Sequence, residues 1–275
     1  MGKGTIKNVL TIAGVDPSGG AGVLADVKVM SALGTYATAV IAALTAQNTR
    51  AVAGVLPVPA DFVAQELDTL FADVRIDAVK IGMLGAVDVM ETVAKALERY
   101  RPRWVVLDTV MVAKSGDRLM PDDAVDFFRE RLVPLASVIT PNLPEAAVLL
   151  GQGAPIAPEE MPEAARRLKK LCKADGAVYL KGGHARLATA DDILFDGKAF
   201  VRLSGPRVET KNTHGTGCSL SSAIAACLAR TGDMERACRL AKDYISKAIA
   251  ASDALDVGSG HGPIHHFAGL WAQGN

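Results

Sequence analysis

Several short segments of the chain are apolar at nearly every position. Such runs are typical of parallel strands that helices cover on both faces. We therefore predict strands at residues 9–13, 37–44, 78–81, 104–108, 137–140 and 177–181.

The segments between these runs have the three-to-four-residue apolar spacing of amphipathic helices. We predict helices at residues 23–33, 61–71, 86–100, 122–132, 144–150, 160–172, 218–230 and 234–251. Strands that alternate with helices imply right-handed crossovers. The predicted fold class is therefore α/β, a three-layer α/β/α sandwich with a central, mostly parallel sheet.

Residues 192–203 depart from that alternation. A turn at Asp196-Gly197-Lys198 splits this stretch into two short runs, which predicts a β-hairpin added at the edge of the sheet. No internal repeat and no Pro/Gly/Ser-rich linker divides the 275 residues, and a single α/β unit routinely reaches this length. We therefore predict one domain over residues 1–275.

Charge and cysteine content narrow the class of protein. Thirty basic residues balance thirty acidic ones, so no net field draws the chain to nucleic acid or to an anionic membrane. The N-terminus lacks a secretory signal pattern, and the longest apolar stretch is far below membrane-spanning length. Four cysteines show no Cys-x-x-Cys pair and no zinc spacing, which favours free thiols in a reducing, cytoplasmic compartment.

The glycine-rich segment 212–218 precedes a run of small residues and therefore opens a helix. Its glycines let backbone N–H groups converge, and a helix N-terminus adds about half a positive charge. Together these features predict a site for a phosphate or a developing oxyanion. A glycine-rich turn whose Thr or Ser caps the helix is the alternative interpretation.

Cys218 ends this segment in the first turn of the predicted helix. A thiol in that position can have its pKa lowered toward neutrality, so that it accepts a proton from a substrate hydroxyl. A buried structural cysteine is the alternative interpretation.

A second glycine-rich segment, residues 14–22, follows the first predicted strand and opens the next helix. It lacks the Gly-Lys-Ser/Thr ending of a P-loop and the Gly-x-Gly-x-x-Gly dinucleotide fingerprint. Its glycines allow the backbone to approach a substrate, and Asp26 lies one turn into the helix, within reach. A surface turn followed by an ordinary helical Asp is the alternative.

Ligands of parallel sheets bind beyond the carboxyl ends of the strands, where Asp108, Asn142 and Lys181 lie. We expect Asp108 and Glu145 to hold a hydrated Mg²⁺, which needs only one or two carboxylates. Asn142 and Glu145 also have the spacing of a helix capping box, and the two interpretations are compatible. Lys181 precedes two glycines, a position from which it can contact a transferring phosphate.

Eight segments form a pattern that is specific as a set and covers nearly the whole chain. They are residues 11–22, 46–50, 80–84, 106–111, 114–116, 139–145, 181–184 and 211–218. In this order they resemble the ribokinase-like superfamily and, within it, the hydroxymethylpyrimidine and phosphomethylpyrimidine kinases of thiamine biosynthesis.

The resemblance implies ATP-dependent phosphorylation of 4-amino-5-hydroxymethyl-2-methylpyrimidine, then of its monophosphate to the diphosphate, with Mg²⁺. Sugar kinases of the wider superfamily carry Asp where this chain has Cys218. The resemblance makes Cys218 the base that takes the hydroxymethyl proton. The amides that hold the transferring phosphoryl group belong to Gly215, Thr216, Gly217 and Cys218. A homodimer is also implied.

By position, the resemblance makes Gln47 the residue that recognises the pyrimidine. A side-chain amide offers a donor beside an acceptor, which complements an aminopyrimidine. The rest of the substrate pocket is implied to be Gly14, Asp26, Met83 and Val110. The resemblance also implies that Mg²⁺ and the nucleotide phosphates bind at Asp108, Glu145 and Lys181. It implies further nucleotide contacts with Asn142, Thr213 and Thr216.

Two other functions remain open. A pyridoxal kinase is the nearest alternative, because some members share the Gly-Thr-Gly-Cys ending and both substrates are hydroxymethyl heteroaromatics. Gln47 argues against it. A non-catalytic metabolite-binding protein on the same fold is the alternative from another functional class.

Overall fold

The computed structural model describes residues 5–111, 120, 122–154, 156–183 and 190–271. The strands are β1 (Asn8–Val15), β2 (Tyr36–Gln47), β3 (Val52–Pro57), β4 (Ala78–Ile81), β5 (Val105–Leu107), β6 (Val138–Ile139), β7 (Ala177–Lys181), β8 (Asp192–Phe195) and β9 (Phe200–Leu203). Segment 114–116 and His184, which contribute to the resemblance, lie outside the described residues.

The helices lie at the positions that apolar spacing predicts, with ends shifted by at most three residues except in the fourth helix, which ends five residues before the predicted position. They are α1 (Gly22–Ala32), α2 (Ala60–Asp73), α3 (Val87–Tyr100), α4 (Asp122–Phe127), α5 (Leu143–Leu149), α6 (Met161–Lys169), α7 (Thr216–Thr231) and α8 (Met234–Ala250). A π-helical turn, Phe128–Leu132, continues α4. In the described part of the chain, every helix is too short or too polar to span a bilayer.

The strands of the described ranges form one sheet in the order β3-β2-β1-β4-β5-β6-β7-β8-β9. The strands β1, β2 and β4 to β7 are parallel, and β8 and β9 form the antiparallel hairpin predicted at the edge. The edge strand β3 is antiparallel to β2 and was not predicted. It is mostly exposed and contains Gly54 and Pro57, residues that weaken a strand signal.

Each face of the sheet carries its own hydrophobic core, because successive strand residues point to opposite faces. Leu10 belongs to the core beneath α2 to α6, whereas its neighbour Val9 packs toward α1, α7 and α8. The chain is therefore a three-layer α/β/α sandwich, which confirms the predicted fold class.

The order of the strands reverses between β1 and β4. From β1 the chain moves outward to β2 and β3, then returns to place β4 on the other side of β1. Such a switch point opens a crevice at the carboxyl ends of the two strands. The Gly14 N–H donates to the Met83 carbonyl across it, at 3.0 Å.

Candidate active site

A cleft of about 1040 Å³ lies at this carboxyl edge of the sheet. Asp26 is the one sequence-predicted site residue that does not line it. The predicted residues that do line it are Gly14, Gln47, Met83, Asp108, Val110, Asn142, Glu145, Lys181, Thr213, Gly215, Thr216, Gly217 and Cys218.

The first turn of α7 points into this cleft. Gly215 precedes the helix with φ +72, and no side chain in the described residues caps it. The Thr216 hydroxyl instead donates to the Thr213 carbonyl at 2.8 Å. The alternative of a helix capped by Thr or Ser is therefore wrong, and the first amides of α7 are available to an anion.

Glycine is required at position 215 for two reasons. Its left-handed backbone disfavours any side chain, and a Cβ there would overlap the carbonyl of Gly20. A Cβ at Gly217 would lie 3.4 Å from the Lys181 Nζ atom. The lysine therefore approaches the same turn of α7 from the sheet side.

Cys218 is partly buried at the start of α7. Burial raises the pKa of its thiol to about 11; the carboxylates of Asp108 and Asp26 add to this rise, and the Lys80 ammonium opposes it. The prediction of a thiol pKa lowered toward neutrality is therefore wrong, because desolvation outweighs the favourable field of the helix N-terminus.

Asp26 lies beneath the cleft with 0% exposure. Its carboxylate accepts hydrogen bonds from Thr11 Oγ1 at 2.6 Å, Lys80 Nζ at 2.8 Å and Ser222 Oγ at 2.7 Å. These partners belong to β1, β4 and α7. Asp26 is therefore placed to support Lys80 and α7, and not to contact a ligand in the cleft.

Sequence reasoning missed Lys80, which lines the cleft although its side chain is wholly buried. Burial lowers the pKa of this ammonium, but the carboxylate of Asp26, the thiolate form of Cys218 and the carboxylate of Asp108 outweigh burial and raise it. Lys80 is therefore a fixed positive charge. A lysine within the apolar run Ala-Val-Lys-Ile was the signal that could have revealed it, since buried lysines are rare unless paired.

Lys181 lies between the two carboxylates predicted to bind metal. Its Nζ atom is 3.6 Å from Asp108 Oδ1 and 3.8 Å from Glu145 Oε2. Asp108 also accepts from Thr140 Oγ1 at 3.2 Å, and Ser221 Oγ lies 3.0 Å from its other oxygen. The ends of β5 and β7 thus bring opposite charges together at the edge of the cleft.

Glu145 and Asn142 form the predicted capping box. The Asn142 N–H donates to Glu145 Oε2 and the Glu145 N–H donates to Asn142 Oδ1, both at 2.8 Å. Thr109 Oγ1 also donates to Glu145 Oε2 at 2.8 Å. Burial raises the pKa of Glu145, Lys181 opposes the rise, and the Asp108 charge adds to it.

Asp108 and Glu145 supply the oxygen donors that Mg²⁺ prefers. Among the described residues, no group of three or more His, Cys, Asp or Glu side chains has the geometry of a metal site. This donor set suits a hydrated Mg²⁺, which needs only one or two carboxylates.

One end of the cleft is formed by β1, β2 and the turn after β4. We call it the acceptor end, because it contains Gln47, the residue expected to recognise the alcohol that accepts the phosphoryl group. Thr45 Oγ1 lies 3.2 Å from Gln47 Oε1 and 2.9 Å from the Val15 carbonyl, so it holds the end of the glutamine side chain close to β1. A Cβ at Gly14 would lie 2.7 Å from Met83 Cε, so the bare backbone of Gly14 leaves room for the methionine. An amide thus faces the cleft beside an apolar wall, which suits a flat polar heterocycle.

A second ion pair holds the backbone that follows Lys181. Asp192 accepts from Lys242 Nζ at 2.7 Å and from Tyr179 Oη at 2.8 Å. Its other oxygen accepts from the Gly182 N–H at 2.9 Å. Lys242 and Asp192 both line the cleft, and sequence reasoning missed both because their contact joins β8 to α8.

Comparison with known proteins gives a consistent result. Residues 16–265 match the family model for phosphomethylpyrimidine kinase. The chain is 52% identical over 264 residues to the hydroxymethylpyrimidine/phosphomethylpyrimidine kinase of Escherichia coli, covering 96% of this chain and 98% of that protein.

Two solved structures are also similar. The pyridoxal kinase of Staphylococcus aureus, in complex with AMP-PCP and pyridoxal, has a TM-score of 0.88 and 30% identity and covers 97% of this chain and 96% of its own. The phosphomethylpyrimidine kinase of Clostridium difficile has a TM-score of 0.77 and 37% identity and covers 88% of this chain and 99% of its own.

Proposed function

Because the chain belongs to the phosphomethylpyrimidine kinase family, we propose that it transfers the γ-phosphoryl group of ATP to 4-amino-5-hydroxymethyl-2-methylpyrimidine. A second transfer then converts the monophosphate to the diphosphate, in thiamine diphosphate biosynthesis. The observation that carries this proposal is one cleft that holds Gln47 at its acceptor end and the uncapped first turn of α7 beside it.

The acceptor pyrimidine binds between Gln47, Gly14, Met83 and Val110. The Gln47 amide pairs with a ring nitrogen and the exocyclic amine, because it offers one donor beside one acceptor. The contact with Thr45, which holds the end of this side chain close to β1, supports its role. Asp26 contributes indirectly in this assignment, since its carboxylate binds Lys80 and not the cleft.

The transferring phosphoryl group binds the amides of Gly215 to Cys218. Amides fixed in this direction stabilise negative charge that develops in the transition state. Lys181 adds a positive charge from the opposite side, and its proximity to Gly217 supports this role. The nucleotide phosphates also contact Asn142, Thr213 and Thr216.

Asp108 and Glu145 would hold Mg²⁺ together with the nucleotide. When bound, this ion neutralises phosphate charge. Lys181, 3.6 Å from Asp108, keeps these carboxylates oriented toward the phosphates.

Cys218 Sγ accepts the proton of the hydroxymethyl group while the alcohol oxygen attacks phosphorus. A thiolate is required for this step, and burial raises the thiol pKa to about 11. The buried ammonium of Lys80 lowers this pKa, and the Lys181 ammonium also interacts favourably with the thiolate. Proton transfer thus depends on the Lys80 charge.

We further propose that residues 1–275 form one kinase domain that works as a cytoplasmic homodimer. The four cysteines are free thiols, which suits a reducing compartment.

Leu44 and Leu56 are cross-strand neighbours on β2 and β3 with 47% and 66% exposure, an apolar pair suited to a subunit contact. Sedimentation of wild type and Leu56→Asp tests the dimer, which the variant should weaken.

A pyridoxal kinase is the second candidate, because the similar structure of Staphylococcus aureus was solved with pyridoxal. The test is a panel of the pyrimidine alcohol, its monophosphate and pyridoxal, with ATP and Mg²⁺ and with ADP release as readout. We expect turnover of the first two. Turnover of pyridoxal alone would support the second candidate, and binding without Mg²⁺-dependent turnover would support a non-catalytic role.

A further inference from the structure

The two glycine-rich loops of the cleft are joined by side chains that neither sequence motif explains. Asp16 lies in the acceptor loop, residues 14–22, and His214 lies in the phosphate loop, residues 212–218. The His214 Nε2–H donates to Asp16 Oδ2 at 2.6 Å across a sequence separation of 198 residues. Both residues line the cleft.

Asp16 also organises its own loop. Its carboxylate accepts from the Ser18 N–H at 2.9 Å, the Ser18 hydroxyl at 2.9 Å and the Ala21 N–H at 3.0 Å. The carboxylate is 3% exposed, so these hydrogen bonds are shielded from water. The position of the acceptor loop is therefore tied to the atom that His214 contacts.

His214 is held from the opposite side. Its N–H donates to the Gly262 carbonyl at 3.0 Å, and its ring packs against Gly20, where a Cβ would overlap it. A Cβ at Gly215, the next residue, would overlap the Gly20 carbonyl. A displacement of one loop must therefore displace the other.

The charges around this pair favour an ionised carboxylate. Burial raises the pKa of Asp16, but hydrogen bonds from His214 and Ser18 and the charge of His214 outweigh it, so the pKa is lowered. Lys28 adds positive charge from α1, where its Nζ atom donates to the Gly19 carbonyl at 2.8 Å. A charged acceptor gives a stronger hydrogen bond than a neutral one.

We propose that Asp16 and His214 are positioning residues that couple the acceptor loop to the phosphate loop, so that alcohol and nucleotide bind synergistically. The inference rests on the proposed function, because that function assigns the two substrates to these loops. A ligand that shifts one loop toward its bound position shifts the other through this contact, and the second ligand then binds more tightly. Linkage requires that each ligand tightens the other by the same factor.

Calorimetric titration measures this factor. Mg²⁺ and AMP-PCP are titrated into the full-length protein with and without saturating pyrimidine alcohol, and the pyrimidine is titrated with and without AMP-PCP. In wild type we expect a coupling of about 5- to 100-fold in Kd, equal in both directions. His214→Phe keeps the ring but removes the donor, and should reduce the coupling to less than about 2-fold.

Matched variants separate the effect of the Asp16–His214 hydrogen bond from that of the other hydrogen bonds within each loop. His214→Gln retains a side-chain N–H donor and should restore most of the coupling. Ser18→Ala removes a bond of Asp16 within its own loop and should keep the coupling. Asp16→Asn should lose it as His214→Phe does, and the double variant should lose no more than either single one. Asp16→Asn also replaces His214→Phe if that variant does not fold.

Three results would overturn the coupling role: no coupling in wild type, unchanged coupling in His214→Phe, or equal loss in Ser18→Ala. Failure of the proposed function looks different. In that case wild type neither binds nor phosphorylates the pyrimidine, and the same cycle is run with pyridoxal as the acceptor.

Discussion

Lys80 Nζ lies 2.8 Å from Asp26 Oδ2, and both side chains are wholly buried beneath Cys218. Ser222, one turn after Cys218 on α7, donates to the same aspartate. This pair therefore fixes a positive and a negative charge at set positions below the thiol. Because the two charges act on the thiol with opposite sign, changing them one at a time separates electrostatics from packing.

Lys80→Met should raise the pKa of the Cys218 thiol above its value of about 11, because the variant lacks the ammonium that stabilises the thiolate. Asp26→Asn should lower that pKa, because it removes a negative charge and leaves Lys80 in place. The measurement is the pH dependence of iodoacetamide alkylation at Cys218, followed by mass spectrometry, with Cys218→Ala as the blank. The pH–rate profile of alcohol phosphorylation should move in the same directions.

Damage to the fold would not reproduce this pattern of opposite shifts. Lys80→Met leaves Asp26 buried and unpaired, which costs about 3–5 kcal/mol, so the double variant Asp26→Asn/Lys80→Met serves if the single one unfolds. Its thiol pKa should exceed that of Asp26→Asn. Shifts of the same sign in both single variants would contradict the electrostatic role.

Glu145→Gln should stabilise the protein while reducing its activity. Burial raises the pKa of Glu145, so the folded protein holds its proton to higher pH than the unfolded chain, and stability falls as pH rises from the unfolded pKa through the folded one. A glutamine keeps an oxygen for the capping box and carries no charge. The measurement is thermal unfolding of the variant and wild type between about pH 4 and pH 8, a range that begins near the ordinary carboxyl pKa. The variant should be more stable than wild type at neutral pH.

Glu160→Gln is the matched control, because the exposed Glu160 also accepts a backbone N–H, from Ala157 at 2.9 Å. It should change neither stability nor the Mg²⁺ dependence of turnover. If Glu145→Gln is less stable than wild type, or if its turnover depends on Mg²⁺ as wild type does, the Glu145 carboxylate serves the fold and does not bind Mg²⁺.

Most of the fold could be predicted from local patterns in the sequence. The six parallel strands and the hairpin after Asp192 were predictable because apolar runs and a turn at Asp196-Gly197-Lys198 specify them within a few residues of chain. The edge strand β3 lacked such a signal, since it is mostly exposed and pairs on one side only. Residues that line the cleft were predictable where motif glycines and strand ends carry them, as at Gly215 and Asp108.

The charge balance of the site was not predictable, because it depends on contacts that only the tertiary fold creates. Lys80 and Asp26 are 54 residues apart, and Asp16 and His214 are 198 apart. The helix position of Cys218 suggested a lowered pKa, whereas burial sets the opposite direction. Desolvation is a property of the packed site, so the sequence alone could not give its sign.

Gln47→Ala should weaken binding of the pyrimidine alcohol much more than binding of Mg²⁺ and AMP-PCP. Loss of the amide leaves ring hydrogen-bonding groups unpaired, which costs about 1–3 kcal/mol, or about 5- to 150-fold in Kd. The check is calorimetry with each ligand alone, with the exposed Gln65→Ala on α2 as control. Equal losses for the two ligands would assign Gln47 to the structure of the cleft instead of to recognition.

Cys218→Ala should separate the two phosphorylations. The alcohol must lose a proton as it attacks, so removal of the base should slow its turnover by about 10²- to 10⁴-fold. The monophosphate has a second pKa of about 6, so near pH 7.5 it attacks through an oxygen that is already ionised and needs no base. Its turnover should fall by less than about 10-fold. The check is the single-turnover rate of phosphoryl transfer to each acceptor, corrected for ATP hydrolysis without an acceptor. Equal losses for the two acceptors would make Cys218 a packing residue of the anion site and not the base.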